Sequence, residues 1–155
     1  MKAPEYFFKI TSTFFYVGYL PFVPGTFGSI AGLALYFFLK DNNLLYLAAI
    51  LILGCLGFIS CGRAEKIFAK KDPKYVVIDE VTGMLISLAC LPYDIKWVII
   101  GFFLFRLLDT LKPFPASKFQ KLHGSIGIMG DDIVAGVYAN IVLQVVFRLA
   151  SWSGS

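Results

Sequence analysis

A run of 21 consecutive residues, Asn42–Gly62, contains no Asp, Glu, Lys or Arg. A helix needs about 20 predominantly apolar residues to cross the hydrocarbon core of a bilayer, so this run is long enough to do so. Of the 155 residues, 58% are hydrophobic and 15% are charged, whereas about a quarter of the residues of a soluble domain are charged. The scarcity of charge argues against a secreted disulfide scaffold, a disordered tail and a nucleic-acid-binding domain. It predicts a membrane protein.

The other uncharged runs are shorter or interrupted, and they are Ile10–Leu39, Val81–Tyr93, Trp97–Phe105 and Ile133–Phe147. Two prolines in Pro21–Gly25 break the first of them, because a regular helix does not continue through such a segment. We therefore expect a short N-terminal amphipathic helix, an irregular loop at about 18–28, and then a helix to Leu39.

Two further runs approach the length of a membrane-spanning helix, but only if charged residues lie inside those helices. One starts at Val76 and contains Asp79 and Glu80, and the other extends through Arg106 and Asp109 to about residue 111. The predicted fold is all-α, a small multi-pass membrane bundle of short, partly interrupted helices. We expect a single domain over residues 1–155.

Basic residues predict the orientation of this bundle. If the helices alternate across the membrane from a cytoplasmic N-terminus, 11 of the 14 basic residues fall on the cytoplasmic side, as the positive-inside rule requires. The 11 are Lys2, Lys9, Arg63, Lys66, Lys70, Lys71, Lys74, Arg106, Lys112, Lys118 and Lys121. The same layout brings four unusual polar segments to the cytoplasmic face: 18–29, 79–83, 106–115 and 127–136.

Half of the ten acidic residues lie at the cytoplasmic ends of predicted helices, and they are Asp79, Glu80, Asp109, Asp131 and Asp132. Carboxylates at membrane depth are costly, which makes them functional candidates. Simpler roles exist for some of them. Asp131 and Asp132 are suited to cap a helix beginning near Ile133, and Asp109 is suited to an i,i+3 ion pair with Arg106. No such role is evident for Asp79 and Glu80.

Two of these acids are each followed by glycine one helical turn later, at Asp79/Gly83 and Asp132/Gly136. Residues four apart share a helix face. The glycine either admits a neighbouring helix or leaves room for a cation and a phosphate. Two such helices facing each other would form a cage of carboxylates, and a cage of oxygen ligands without Cys or His favours Mg²⁺ over Zn²⁺.

Basic and backbone groups add a phosphate-binding pattern. Arg106 and Lys112 lie beside Asp109 near a helix end, where they are suited to neutralise phosphoryl oxygens. The segment 24–29 offers backbone N–H groups and the hydroxyls of Thr26 and Ser29 at a helix start. That segment is equally suited to ordinary helix entry, with Gly28 and Gly32 as a packing face. The sequence lacks a Cys-x₅-Arg loop, an Asp-x-Asp motif and a Walker loop, which excludes the corresponding kinds of phosphate chemistry.

Four motifs in this order resemble the phosphatidylglycerophosphatase A family. They are PFVPGTFGS at 21–29, DEVTG at 79–83, FRLLDTLKPFP at 105–115 and GIMGDDIVAG at 127–136. Val23 is a minor departure, since the family usually has Ala there. The resemblance implies a Mg²⁺-dependent phosphatase of the bacterial inner membrane that converts phosphatidylglycerophosphate to phosphatidylglycerol and inorganic phosphate. Its partners would be the lipid substrate and the bilayer, without nucleic acid, and a homo-oligomer stays open.

This comparison leads to a site hypothesis with defined roles. Asp79, Glu80, Asp131 and Asp132 would bind Mg²⁺, and Asp109 would be a further ligand or the base that orients water. The phosphate would be held by Arg106 and Lys112, assisted by Thr26 and Ser29. The alternative is a small cation- or proton-coupled transporter subunit that uses the same carboxylates.

Overall fold

The computed structural model describes residues 3–153, and this part of the chain consists of helices joined by turns and loops, with no β-strand. The all-α prediction is therefore confirmed. Lys2, one of the basic residues counted above, lies outside the described residues. The helices are α1 (Ala3–Ser12), α2 (Pro24–Leu39), α3 (Asn43–Phe68), α4 (Ile78–Leu88), α5 (Ile95–Leu111), α6 (Ala116–Phe119) and α7 (Ser125–Ser153).

The irregular segment near the N-terminus lies slightly earlier than predicted. It includes a short 3-10 turn at Val17–Tyr19, and α2 begins at Pro24 rather than near residue 28. Proline is well suited to the first turn of a helix, because its fixed φ is helical and its missing N–H would have no partner there. The helix α1 ends before either proline of the segment 21–25, and the backbone that turns the chain there is left-handed at Phe14, Phe15 and Tyr16. Pro24 starts the next helix.

Helices α3 and α7 are long and apolar enough to cross a membrane. Their 26 and 29 residues correspond to about 39 and 44 Å, more than the hydrocarbon thickness of about 30 Å. Only 22% of the apolar stretch of each helix is buried inside the protein. Both helices therefore present most of their apolar surface outward, unlike the core helix of a soluble protein.

Helix α4 is shorter than the helix of nearly membrane-spanning length that the sequence suggested. It has 11 residues, about 16 Å, and ends beside the middle of α7. Asn140 Nδ2 donates hydrogen bonds to the carbonyls of Ser87 (3.1 Å) and Ala89 (2.8 Å). Gln144 Nε2 donates to the carbonyls of Ala89 and Cys90, both at 3.2 Å. These amides supply hydrogen-bond donors to the last carbonyls of α4. Such carbonyls lack partners within the helix, so they need donors from elsewhere where water is scarce.

Close contacts at glycines hold α4 between α2 and α7. A Cβ at Gly28 would lie 2.9 Å from Val77 Cβ, and one at Gly32 would lie 2.9 Å from Met84 Cβ. On the other side, a Cβ at Gly136 would lie 2.5 Å from the carbonyl oxygen of Gly83. The glycines after the acids therefore admit a neighbouring helix, and the Gly28/Gly32 packing face exists as well.

Candidate active site

Three of the predicted carboxylates meet where α4 crosses α7. Asp79 and Glu80 lie in the first turn of α4, and Asp132 lies on α7 directly before the crossing. One oxygen from each carboxylate lies within 4.8 Å of the others. Asp79 and Asp132 are only 7% and 3% exposed. The predicted pair of facing helices with acids one turn from their glycines is thus present.

Each of these three carboxylates has an unsatisfied buried oxygen. Among the described residues, Asp79 Oδ1, Glu80 Oε2 and Asp132 Oδ2 have no hydrogen-bond donor. An unpaired buried carboxylate oxygen is costly. A cation held between the three carboxylates would reduce this cost, and a set of oxygen ligands suits a hard cation such as Mg²⁺. These residues therefore fit a divalent metal ion.

A cavity of about 200 Å³ opens next to the three acids. Its walls come from the starts of α4 and α7, the end of α5 and the loop before α4. It is lined by Asp72, Asp79, Glu80, Asp109, Thr110, Lys112, Ile128, Asp131 and Asp132. All five predicted acids thus face one cavity.

Arg106 connects this cavity to the start of α2. Its Nη1 lies 2.8 Å from Asp109 Oδ2, so the i,i+3 ion pair considered for Asp109 exists. The same Nη1 lies 3.4 Å from Ser29 Oγ. Gly25 lies so close to Glu80 Oε1 and Arg106 Nη2 that a Cβ would collide with the Glu80 oxygen. The segment 24–29 therefore contacts the acidic site through Gly25 and Ser29.

Lys112 and Asp131 form a partly buried ion pair. Lys112 Nζ also lies 3.9 Å from Asp109 Oδ1. Burial lowers the pKa of Lys112, but the hydrogen bond that Lys112 donates to Asp131 and the nearby carboxylate charges outweigh this effect and place the pKa above its ordinary value. Lys112 is therefore a permanent cation at the cavity wall.

Asp131 and Thr26 differ in position from the other predicted site residues. The carboxylate of Asp131 faces Lys112 and does not belong to the group of three close acids. Thr26 lies on the first turn of α2. Like Ser29 and Arg106, it is not one of the described residues that line the cavity. The idea that Asp131 and Asp132 cap a helix start is wrong, because α7 begins earlier, at Ser125.

Three cavity residues were missed by the sequence interpretation: Asp72, Thr110 and Ile128. Asp72 lies in the loop between α3 and α4, with lysines at 70, 71 and 74. It therefore looked like an ordinary residue of a solvated loop. Thr110 lies next to Asp109 on α5, inside the motif at 105–115, and these two features were the available signals for it.

The model of the family phosphatidylglycerophosphatase A matches residues 10–147. The chain belongs to this family. This confirms the resemblance drawn from the four motifs, and with it the expectation that the chain is an enzyme of the phosphatase class. No solved structure matches the chain.

Three curated relatives are named as phosphatases. Phosphatidylglycerophosphatase A of Escherichia coli K12 is 39% identical, over 83% of this chain and 77% of its own length. Phosphatidylglycerophosphatase A of Haemophilus influenzae is 38% identical, over 83% of this chain and 80% of its own length. A protein of Bacteroides thetaiotaomicron, named provisionally as a phosphatidylinositol-3-phosphatase, is 37% identical over 94% of this chain and 96% of its own length.

Proposed function

We propose that this protein is a Mg²⁺-dependent lipid phosphatase that hydrolyses phosphatidylglycerophosphate to phosphatidylglycerol and inorganic phosphate. The observation that carries the proposal is the group of three carboxylates that each have a buried, unsatisfied oxygen, Asp79, Glu80 and Asp132, facing a cavity that also contains Lys112. Family membership supplies the reaction class. Water cleaves the phosphate ester, the glycerol oxygen leaves with a proton, and the phosphate is released.

The excess of acids in the cavity supports a metal. Carboxylates outnumber the basic side chains among the cavity residues, so a phosphate dianion alone would be repelled. Mg²⁺ bound by Asp79, Glu80 and Asp132 would offset this repulsion, polarise the phosphoryl group and lower the pKa of a bound water. Asp131 stays a predicted further ligand, although its ion pair with Lys112 gives it a second role as the partner that holds this lysine.

The basic side chains define the phosphate end of the site. Lys112 is held at the wall by Asp131, and its remaining N–H groups are available to a phosphoryl oxygen. Arg106, fixed by Asp109 and Ser29, points its second Nη toward Gly25 and Glu80. A guanidinium held in this way offers phosphate a fixed pair of donors. Asp109, in contact with both cations, is the candidate to orient the attacking water.

The membrane arrangement that we propose is multi-pass in the bacterial inner membrane, with the site facing the cytoplasm. Two long apolar helices, the shorter apolar helix α2 and the bias of basic residues support it. The starts of α2, α4 and α7 and the end of α5 meet at the site, as expected for helices that alternate in direction. A lipid headgroup could enter there while its acyl chains stay in the bilayer. A single domain over 1–155, the absence of a nucleic-acid partner and a homo-oligomer stay predictions.

Phosphatidylinositol 3-phosphate is a second candidate substrate. The Bacteroides relative whose name contains that activity is matched over nearly the full length of both chains. Both lipids carry a phosphate monoester on a polyol headgroup, so the same acids and cations would serve either one. Their relative kcat/KM therefore decides between them.

The test is phosphate release by the purified protein in detergent, from each lipid, with and without Mg²⁺. We expect Mg²⁺-dependent release from phosphatidylglycerophosphate, and a decrease of about a hundredfold or more in Asp79→Asn, which loses a charged ligand. Asp41→Asn is the matched control, because Asp41 is an exposed acid paired with Lys40 outside the site.

Two results would contradict the proposal. One is folded wild-type protein that releases no phosphate from either lipid with Mg²⁺ present. The other is full activity in Asp79→Asn, which would exclude the assigned acids. Mg²⁺ or proton flux in proteoliposomes without phosphatase activity would favour the transporter alternative.

A further inference from the structure

Glu65 lies outside the cavity, yet its carboxylate connects two loops that flank it. The residue is in the last turn of α3. Its Oε1 accepts a hydrogen bond from the backbone N–H of Asp72 at 3.3 Å, and its Oε2 accepts one from the backbone N–H of Gly124 at 2.8 Å. One side chain therefore binds two segments that are about 50 residues apart in sequence.

The first of these segments carries a cavity residue. Asp72 lines the cavity beside Asp79 and Lys112. Its backbone has φ of +46°, a left-handed conformation that Asp adopts more readily than most residues but that still needs support. The hydrogen bond from the Asp72 N–H to Glu65 provides that support.

The second segment leads directly into α7. Gly124, with φ of +73°, precedes the two turns of α7 that carry Asp131 and Asp132. The next residue is also anchored to α3, because Ser125 Oγ accepts a hydrogen bond of 2.7 Å from the N–H of Gly62. A Cβ at Gly62 would lie 2.9 Å from this oxygen. The start of α7 is thus fixed against the end of α3 at two adjacent positions.

We infer that Glu65 is a positioning residue, which sets the Asp72 loop and the start of α7 relative to the three-acid site. The inference rests on the proposed function for its catalytic consequence. Glu65 contacts neither the cavity nor the reacting groups, and it acts through Asp72 on one side and through Asp131 and Asp132 on the other. Both of its oxygens are needed, because each accepts from a different backbone N–H.

The chemistry of the side chain gives a graded series of variants. Glu65→Gln keeps the length but has one acceptor oxygen, and its NH₂ faces an N–H donor. Glu65→Ala loses both acceptors. Asp41→Asn is again the matched control, since it makes the same carboxylate-to-amide change at an exposed position.

The first experiment is hydrogen–deuterium exchange of the full-length protein in detergent. We expect faster exchange in peptides covering 70–76 and 121–127 in Glu65→Ala, an intermediate increase in Glu65→Gln, and wild-type exchange in Asp41→Asn. Wild-type exchange of both segments in Glu65→Ala would overturn the inference. This readout is independent of activity, so it holds even if the proposed substrate is wrong.

The second experiment separates positioning from loss of folded protein. We expect the Mg²⁺ concentration for half-maximal activity to rise about tenfold in Glu65→Ala, with a smaller rise in Glu65→Gln. Mn²⁺ binding measured by electron paramagnetic resonance should weaken in the same order. A lower maximal rate with unchanged Mg²⁺ and Mn²⁺ dependence would show a merely structural role and overturn the inference. Inactive wild-type protein would instead contradict the proposed function.

Discussion

At the scale of single residues, the site contains two kinds of carboxylate: those with an unsatisfied buried oxygen, and one that forms an ion pair. Asp79, Glu80 and Asp132 each have a buried oxygen without a donor among the described residues, whereas Asp131 is satisfied by Lys112. The sequence assigned the same role to all four of these acids. Neighbouring acids can differ in this way because residues 131 and 132 point about 100° apart around a helix, so only one of them faces α4.

The ion pair of Lys112 and Asp131 can be tested by a double-mutant cycle. Lys112→Met leaves Asp131, which is 4% exposed, without its counter-charge, and we expect a loss of about 3 kcal/mol in the free energy of unfolding. The double variant Lys112→Met/Asp131→Asn should recover much of this loss because no buried charge stays unpaired. Chemical unfolding in detergent measures each variant. A double variant no more stable than Lys112→Met would contradict the pairing.

At the scale of secondary structure, the crossing of α4 and α7 at Gly83 and Gly136 brings the acids together. A Cβ at Gly83 would lie 2.7 Å from the Phe105 ring and 2.8 Å from the carbonyl oxygen of Asp132. The backbones can approach this closely only because both crossing residues lack a side chain. The spacing of acid and glycine in the sequence predicted facing helices, but it left open whether the glycines admit a helix or a ligand.

Because the two helices cross so closely, we expect one methyl group added at Gly83 to lower both stability and activity. Gly83→Ala should separate α4 from α7, decrease the free energy of unfolding by about 1–3 kcal/mol, and decrease activity because Asp79 and Asp132 move apart. Gly54→Ala is the control, since a Cβ there meets nothing within 4 Å. Thermal unfolding and phosphate release should both be lowered in Gly83→Ala alone. Equal behaviour of the two variants would contradict the crossing.

The early end of α4 makes a separate prediction at this scale. Asn140→Leu removes the donor to the carbonyls of Ser87 and Ala89, and we expect a loss of about 1–3 kcal/mol in the free energy of unfolding. Val142→Leu, an exposed apolar exchange on the same helix, should be close to neutral. Denaturant unfolding in detergent measures both. A neutral Asn140→Leu would show that the end of α4 needs no cap from α7.

At the scale of the whole molecule, the charged and apolar parts of the chain are separated. The five predicted acids and two basic residues gather at one end of the bundle, while α3 and α7 present apolar surface along most of their length. A ligand that binds at this end contacts α4 and α7 together, so it should stabilise the folded state as a unit.

Addition and removal of Mg²⁺ test this coupling. At a Mg²⁺ concentration a hundredfold above its Kd, binding should stabilise the folded state by about 2.7 kcal/mol and raise the Tm by several degrees relative to protein treated with chelator. Asp132→Asn should lose this shift, and Asp41→Asn should keep it. A Tm that is the same with Mg²⁺ and with chelator would contradict a metal site at the helix crossing.

The sequence by itself determined the helical class, the long apolar helix α3 and the set of acids at the site, because these follow from local patterns of charge and spacing. For α7 the sequence offered only the uncharged run Ile133–Phe147, which is shorter than the helix from Ser125 to Ser153. It did not determine that α4 is short, since the amides that satisfy its end come from α7, about 50 residues later in the chain. Nor did it reveal Asp72, because an acid in a lysine-rich loop looks like any solvated residue, or Glu65, because its two backbone partners lie in loops 7 and 59 residues away in the chain. Which carboxylate is paired and which is left open to a cation depends on how helices cross, and only the tertiary structure decided that.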